Sequence, residues 1–320
     1  MAIRIEKGMY KDIPSVIITT DRVIATFLPS QGGKLTSLKA VATGREYLAQ
    51  RRGETYRKLG LDTNYVDAEC AAYDDMFPTI DPWEAPDGPL AGKPYLDHGE
   101  VSRTPAEFTL GETAVDTFMR SQFLPFTFEK HITENSRGGI RIDFTATNTG
   151  DVDMDCIWAA HFMAMAEEGG SVISPYRDGD RAEIVFASDA EKFGKRNDII
   201  TLPYGIDGKT RVDVSGKHEE GTANAWKYYY SEKAPHGYLG YFYPSDGSRV
   251  MFHFDPEEVP YAGVWMNDGE GAALGEYHNA ALEICTGSFD RPDTARARGQ
   301  YSVLPAGKAL HWHLEIDIDL

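Results

Sequence analysis

Glu283 stands in the middle of an apolar stretch, Ala281-Leu282-Glu283-Ile284-Cys285, that runs into Thr286-Gly287-Ser288-Phe289-Asp290. The alternation predicts a strand, with Leu282 and Ile284 on one face and Ala281, Glu283 and Cys285 on the other. A carboxylate set between small side chains does not serve packing; it is solvated, paired or at work. The small neighbours leave room above it for a ligand. His161 repeats the pattern in Trp158-Ala159-Ala160-His161-Phe162-Met163, where Ala159, His161 and Met163 share a face. A carboxylate and an imidazole are the residue types that general acid–base chemistry needs. Taken singly, a solvated strand glutamate and a hydrogen-bonded core histidine are the ordinary readings of such residues.

A third constellation is Asp97-His98-Gly99-Glu100-Val101-Ser102-Arg103, where Gly99 permits a close backbone approach beside His98. It follows a loop-rich segment, Thr63 to Arg103, that carries five prolines together with Asp74, Asp75, Asp81 and Trp83. A long irregular segment inside a compact domain is commonly functional, and a site rim would lie there. His311-Trp312-His313 puts two imidazoles and then Glu315 on one strand face, a conceivable metal arrangement. Surface or hydrogen-bonded histidines are the preferred reading, and no metal is assigned. The sequence has no zinc-protease, nucleophile-elbow, phosphate-loop or dinucleotide pattern.

The elements that must position these residues are strands. Segments rich in β-branched and aromatic residues recur at Val16–Thr20, Arg22–Leu28, Lys34–Val41, Thr117–Leu124, Thr127–Thr133, Ile140–Thr147, Met154–Met163, Arg211–Val214, Ala225–Tyr230, Tyr238–Tyr243, Arg249–Phe254, Ala262–Met266, Ala280–Cys285 and His311–Asp319. Turn clusters such as Gln31-Gly32-Gly33 and Asn148-Thr149-Gly150-Asp151 separate them. Helical periodicity is confined to short pieces around Glu54–Leu61 and Asp293–Arg298. The pattern predicts an all-β sandwich or barrel, and the missing linker predicts one domain over residues 1–320.

Composition narrows the partners. The formal net charge of −18 opposes binding to nucleic acid or to an anionic membrane surface. The first residues, with no long apolar run behind Arg4 and Lys7, do not read as a signal peptide. No apolar run reaches the roughly 18–20 residues that span a bilayer. The cysteines, Cys70, Cys156 and Cys285, are odd in number and widely spaced, which suits a reducing cytoplasm.

The order of these pieces resembles the aldose 1-epimerase (galactose mutarotase-like) superfamily over most of the chain. Leu28-Pro29-Ser30-Gln31-Gly32-Gly33 followed by Gly44-Arg45-Glu46-Tyr47-Leu48 resembles its opening hairpin. Met76-Phe77-Pro78 is similar to its Phe-Pro loop, and His98-Gly99 with Arg103 to its His-Gly segment. Asn148-Thr149-Gly150-Asp151 leading to His161 is similar to the turn and strand carrying its second histidine. Val259-Pro260-Tyr261-Ala262-Gly263-Val264-Trp265 with Leu282-Glu283, and then Leu304-Pro305-Ala306-Gly307, resemble its late segments.

The resemblance implies a large twisted antiparallel β-sandwich with few short helices and an open sugar cleft. It implies Glu283 as general base, His161 as general acid and His98 as a substrate-positioning or oxygen-stabilising residue. Arg103, Asp75 and Trp83 are further candidate substrate contacts. The substrate implied is a free monosaccharide, and the chemistry requires no metal or organic cofactor. The Asn/Arg-rich segment of galactose-specific members is missing, and Asp74, Asp75, Asp81 and Trp83 stand in its place. Lys227 and His236 lie where a further sugar contact would arise, but neither is assigned one. The expectation is an isomerase interconverting sugar anomers, as a monomer or homodimer; the alternative is a non-catalytic carbohydrate-binding protein on the same fold.

Overall fold

The computed structural model describes residues 3–209, 211, 224–269 and 278–320. Among these, the period-two segments pair into two large antiparallel sheets, giving the expected all-β sandwich. The larger sheet has eleven strands in the spatial order Arg4–Tyr10, Ile13–Thr19, Val23–Leu28, Lys34–Ala40, Tyr73–Met76, Ala159–Met165, His278–Cys285, Tyr261–Asp268, Ala225–Tyr230, Arg181–Ala187 and Ile199–Thr201. The second has eight, in the order Ser171–Ile173, Tyr238–Phe242, Arg249–His253, Ala309–Asp319, Ile140–Asn148, Phe126–Glu134, Ala114–Arg120 and Glu107–Leu110.

The inner faces of the two sheets close on one continuous core. Phe162 of the larger sheet meets Phe252 of the second with ring centroids 4.7 Å apart, and Trp158 packs on Phe144 and Trp312. Each aromatic or aliphatic side chain buried in this way contributes about 1.5–3 kcal/mol relative to exposure. The outer face of the larger sheet carries two smaller apolar clusters, one around Met163 and Ala281 and one around Ala159 and Cys285. Ala49, Leu59, Tyr65, Ala68, Cys70 and Ala71 pack on the first of these clusters, and Ile80 and Phe289 on the second.

Several expectations change in detail. The Met154–Met163 segment is two strands, broken at Ile157 and Trp158, whose amides bond the Pro78 carbonyl and the Thr286 hydroxyl instead of a strand partner. Met154–Cys156 pairs with Ser302–Leu304, whereas Ala159–Met165 joins the larger sheet. Glu54–Leu61 is irregular rather than helical; its end is tied by Gln31, whose side chain bonds both the amide and the carbonyl of Leu59. The second short helix is present as Pro292–Ala297. Of Arg211–Val214, all but Arg211 lies outside the described residues. His311 and His313 take separate partners, Thr145 and Glu258, while Glu315 pairs with Arg137 and Arg141. Among the described residues, no helix is long and apolar enough to cross a membrane.

Candidate active site

Glu283 and His161 come from adjacent central strands. The register that pairs Ala159 with Cys285 and Phe162 with Leu282 sets His161 directly across from Glu283. Leu282, Ile284, Ala160 and Phe162 enter the core, so alternation turns Glu283 and His161 to the outer face. His161 Nε2 lies 3.8 Å from Glu283 Oε1, and both side chains are almost wholly buried.

The other oxygen of Glu283 is held by a lysine. Lys227, in Ala225–Tyr230, places Nζ 2.6 Å from Glu283 Oε2 and 2.8 Å from Asp290 Oδ1. The hydroxyl of Tyr229 donates to Asp290 at 2.9 Å and lies 3.4 Å from Glu283 Oε2. Between these strands Gly263 pairs with both Glu283 and Tyr229. A Cβ there would sit 2.9 Å from the Tyr229 ring, so the missing side chain lets Tyr229 reach the carboxylates. Lys227 carries the same sequence signal as Glu283, a charge at the outward parity of a strand whose other parity is Trp226, Tyr228 and Tyr230.

Loops bring the remaining groups. Tyr65 donates to Asp74 Oδ2 at 2.8 Å and lies 3.2 Å from His161 Nδ1; Asp74 is itself paired with Lys34 at 2.8 Å. The ring of His98 stacks on Tyr65 with centroids 3.6 Å apart, and its Nδ1 bonds Asp97 at 2.9 Å. His98 and Gly99 both have positive φ, and a Cβ on Gly99 would meet the Phe77 backbone at 2.5 Å. That close approach seats the His98 turn against the Phe77-Pro78 loop. The amides of Ile80 and Asp81 then bond the carbonyl of Asp290, joining this loop to the Lys227 cluster.

Glu283, His161, His98, Lys227, Asp290, Asp81, Tyr65 and Trp265 all line one cavity of about 310 Å³. Phe186, stacked on Trp265 at 5.5 Å, forms an aromatic flank of it. Arg103, Asp75 and Trp83 are not among its lining residues. Arg103 is buried and spends four hydrogen bonds on the backbone carbonyls of Gly60, Thr63 and Asp97, which hold the turns bearing Tyr65 and His98. Asp75 has the opposite strand parity from Asp74 and points into the core. Trp83 packs on Tyr95 with centroids 4.7 Å apart. Tyr65, Lys227, Asp290, Asp81 and Arg196 are polar cavity groups to which the sequence alone assigns no role. Among the described residues, no three His, Cys, Asp or Glu side chains are grouped to hold a metal ion.

Burial works against charge on both members of the facing pair. Burial pushes the Glu283 carboxyl up; Lys227 pulls it back and Asp290 pushes it up again, leaving it raised above the ordinary carboxylate value. Burial, reinforced by His98, Lys227 and Lys34, holds His161 well below the ordinary imidazole value. Burial opposes the charge on Lys227, but Asp290 and Glu283 outweigh it and raise its pKa, so the ammonium is fixed. The ligand-free site therefore works against the imidazolium that an acid role requires at the start of ring opening.

Known structures share this architecture. A galactose mutarotase-like protein from Clostridium acetobutylicum superposes with a TM-score of 0.67 at 13% identity, covering 99% of both chains. The chain has the galactose mutarotase-like fold. The GalM/aldose epimerase homologue from C. elegans matches with a TM-score of 0.59 at 14% identity over 99% of both chains. The Slr1438 protein from Synechocystis sp. PCC 6803 matches with a TM-score of 0.63 at 14% identity, over 93% of this chain and 92% of the other. No family model matches the sequence, and no curated protein does. Within this fold the outer face of the larger sheet carries the cavity, which Glu283, His161 and Lys227 line.

Proposed function

We propose that the protein is an aldose 1-epimerase-like isomerase that interconverts the anomers of a free monosaccharide in the cytoplasm. The observation that carries this reading is the meeting of Glu283 and His161, 3.8 Å apart, on the floor of a cavity that His98 also lines. The anomeric hydroxyl and the ring oxygen of an aldose share one carbon, so two facing groups a few ångströms apart can serve both. In the reacting state the proton of the pair has passed from Glu283 to His161 Nε2, leaving Glu283 ionised as the base. Glu283 takes the proton of the anomeric hydroxyl. The bond from that carbon to the ring oxygen breaks as the carbonyl forms, and His161 Nε2–H protonates the ring oxygen. After rotation about the adjacent carbon–carbon bond, Nε2 takes the proton back and the hydroxyl attacks the other carbonyl face. The protonated Glu283 then returns its proton to the carbonyl oxygen.

Each group contributes about 10²–10⁴-fold. The burial that disfavours both charges supports the half of the cycle in which Glu283 is protonated and His161 is neutral, while Lys227 supports the half in which Glu283 is ionised. The test is saturation-transfer NMR across a panel of free hexoses and pentoses. Exchange between α and β forms above the uncatalysed rate for at least one sugar is expected; none for any sugar would end the reading.

The Lys227 contact, 2.6 Å from Glu283 Oε2, favours a second reading, a carbohydrate-binding protein whose carboxylate is a fixed hydrogen-bond acceptor. That reading expects saccharide-dependent thermal stabilisation with no exchange.

A further inference from the structure

Tyr65 touches both histidines of the cavity, and its hydroxyl has one proton to give. Three acceptors compete for it, Asp74 Oδ2 at 2.8 Å, His161 Nδ1 at 3.2 Å and the carbonyl oxygen of Cys70 at 3.2 Å; the carboxylate is the nearest and the only charged one. Asp74 is salt-bridged to Lys34, whose Nζ also bonds the carbonyl of Glu69 at 2.7 Å, so the carboxylate is locked in place from behind. A hydrogen bond to a charged acceptor is roughly twice as strong as one between neutral groups. The Tyr65 proton therefore goes to Asp74. The oxygen of Tyr65 is then an acceptor toward His161, and Nδ1 must carry a proton to satisfy the contact.

We propose that Tyr65, anchored through Asp74 to Lys34, is a positioning residue that keeps a proton on His161 Nδ1 and leaves Nε2 as the single nitrogen that exchanges protons with the cavity. All four side chains are buried: Lys34 is 2% exposed, Asp74 0%, Tyr65 4% and His161 6%. Water has little access to scramble the tautomer. Burial beside Asp74 also raises the Tyr65 phenol well above its ordinary value, so it remains a neutral hydroxyl. The same ring supports His98 face to face at 3.6 Å, so one side chain sets the orientation of both imidazoles. The charged and titratable groups packed around His161 are Glu283 and Lys227 on the cavity side, His98 at its edge, and Asp74 and Lys34 behind Tyr65. Nothing among the described residues besides Tyr65 bonds Nδ1.

The role assigned to Tyr65 in turnover rests on the isomerase reading, but its structural content does not, and the two separate in one experiment. Protein labelled with ¹⁵N-histidine, ligand-free at neutral pH, is compared with its Tyr65→Phe form, with His161→Gln used only to assign the resonances. The wild type is expected to show His161 as the Nδ1–H tautomer, with Nε2 at a pyridine-type shift. Tyr65→Phe keeps the stacked ring and is expected to move His161 to a mixture or to Nε2–H. With a sugar that exchanges, Tyr65→Phe is expected to lower kcat with little change in KM. An Nε2–H tautomer in the wild type, or an unchanged tautomer in Tyr65→Phe, overturns the proposal. A fixed Nδ1–H tautomer with no sugar exchange leaves it standing and sinks only the isomerase reading.

Discussion

Asp74 and Asp75 are neighbours on one four-residue strand, both are buried, and each is salt-bridged to a buried lysine, yet they belong to different halves of the molecule. Asp75 faces the core. Lys130 pairs with it and also bonds the carbonyl of Gly33, while Tyr73 and Trp158 donate to Asp75 Oδ1 at 2.6 and 3.1 Å. Every direction ends on protein, so this pair ties the strand to both layers. Asp74 faces outward. Its pair with Lys34 continues through Tyr65 to His161 and stops at an open cavity. One step along a strand changes the face, and the face decides whether a buried charge closes a core or prepares a site.

Several substitutions would break or sharpen this contrast. Asp75→Asn leaves Lys130 as an uncompensated buried charge, with an expected loss of about 3–5 kcal/mol in urea unfolding. The ¹⁵N signature of His161 should stay unchanged in the molecules that fold. A smaller loss is expected from Gly99→Ala. It places a Cβ 2.5 Å from the Phe77 backbone at a positive φ, which costs about 1–3 kcal/mol. It should also displace His98, seen as weakened sugar response.

Lys227→Met acts on protonation rather than on packing. With Glu283 already raised by burial, the acid limb of kcat/KM lies above the ordinary carboxylate range. Loss of the ammonium removes the group that favours ionised Glu283, so the limb moves to higher pH; Asp290→Asn removes a repelling charge and moves it to lower pH. Limbs that move the other way would place the essential base elsewhere. Trp83→Phe is expected to do least, about 1 kcal/mol or less in stability and nothing to sugar response, because the ring rests on Tyr95 outside the cavity.

The same contrast marks what the sequence could show. Period-two alternation is enough for the strands that carry Glu283, His161 and Lys227 and for the faces of Glu283 and His161, because it needs only local spacing. Arg4–Tyr10, Arg181–Ala187 and Ile199–Thr201 of the same sheet are not among the segments it marks. Tyr73–Met76 was hidden because Tyr-Asp-Asp-Met reads as a loop; its carboxylates are tolerable in a strand only through Lys34 and Lys130, which are distant in sequence. Asp75 and Trp83 were candidate contacts because the loop carrying them borders the site, but parity within the loop could not be read without its strand. Tyr65 had no periodic signal at all. Lys227 did have one, a lysine at the outward parity of an aromatic strand, and it differs from Glu283 only in the sign of its charge.

The most direct measurement is the rate of α/β exchange per folded molecule in Glu283→Gln and Asp75→Asn beside the wild type, on whichever sugar the wild type accelerates. Glu283→Gln should fold as the wild type does and lose about 10²–10⁴-fold. Asp75→Asn should lose stability and keep the rate of its folded fraction. Full exchange in Glu283→Gln, or an equal loss in both variants, would contradict a division of labour between the two faces of the sheet.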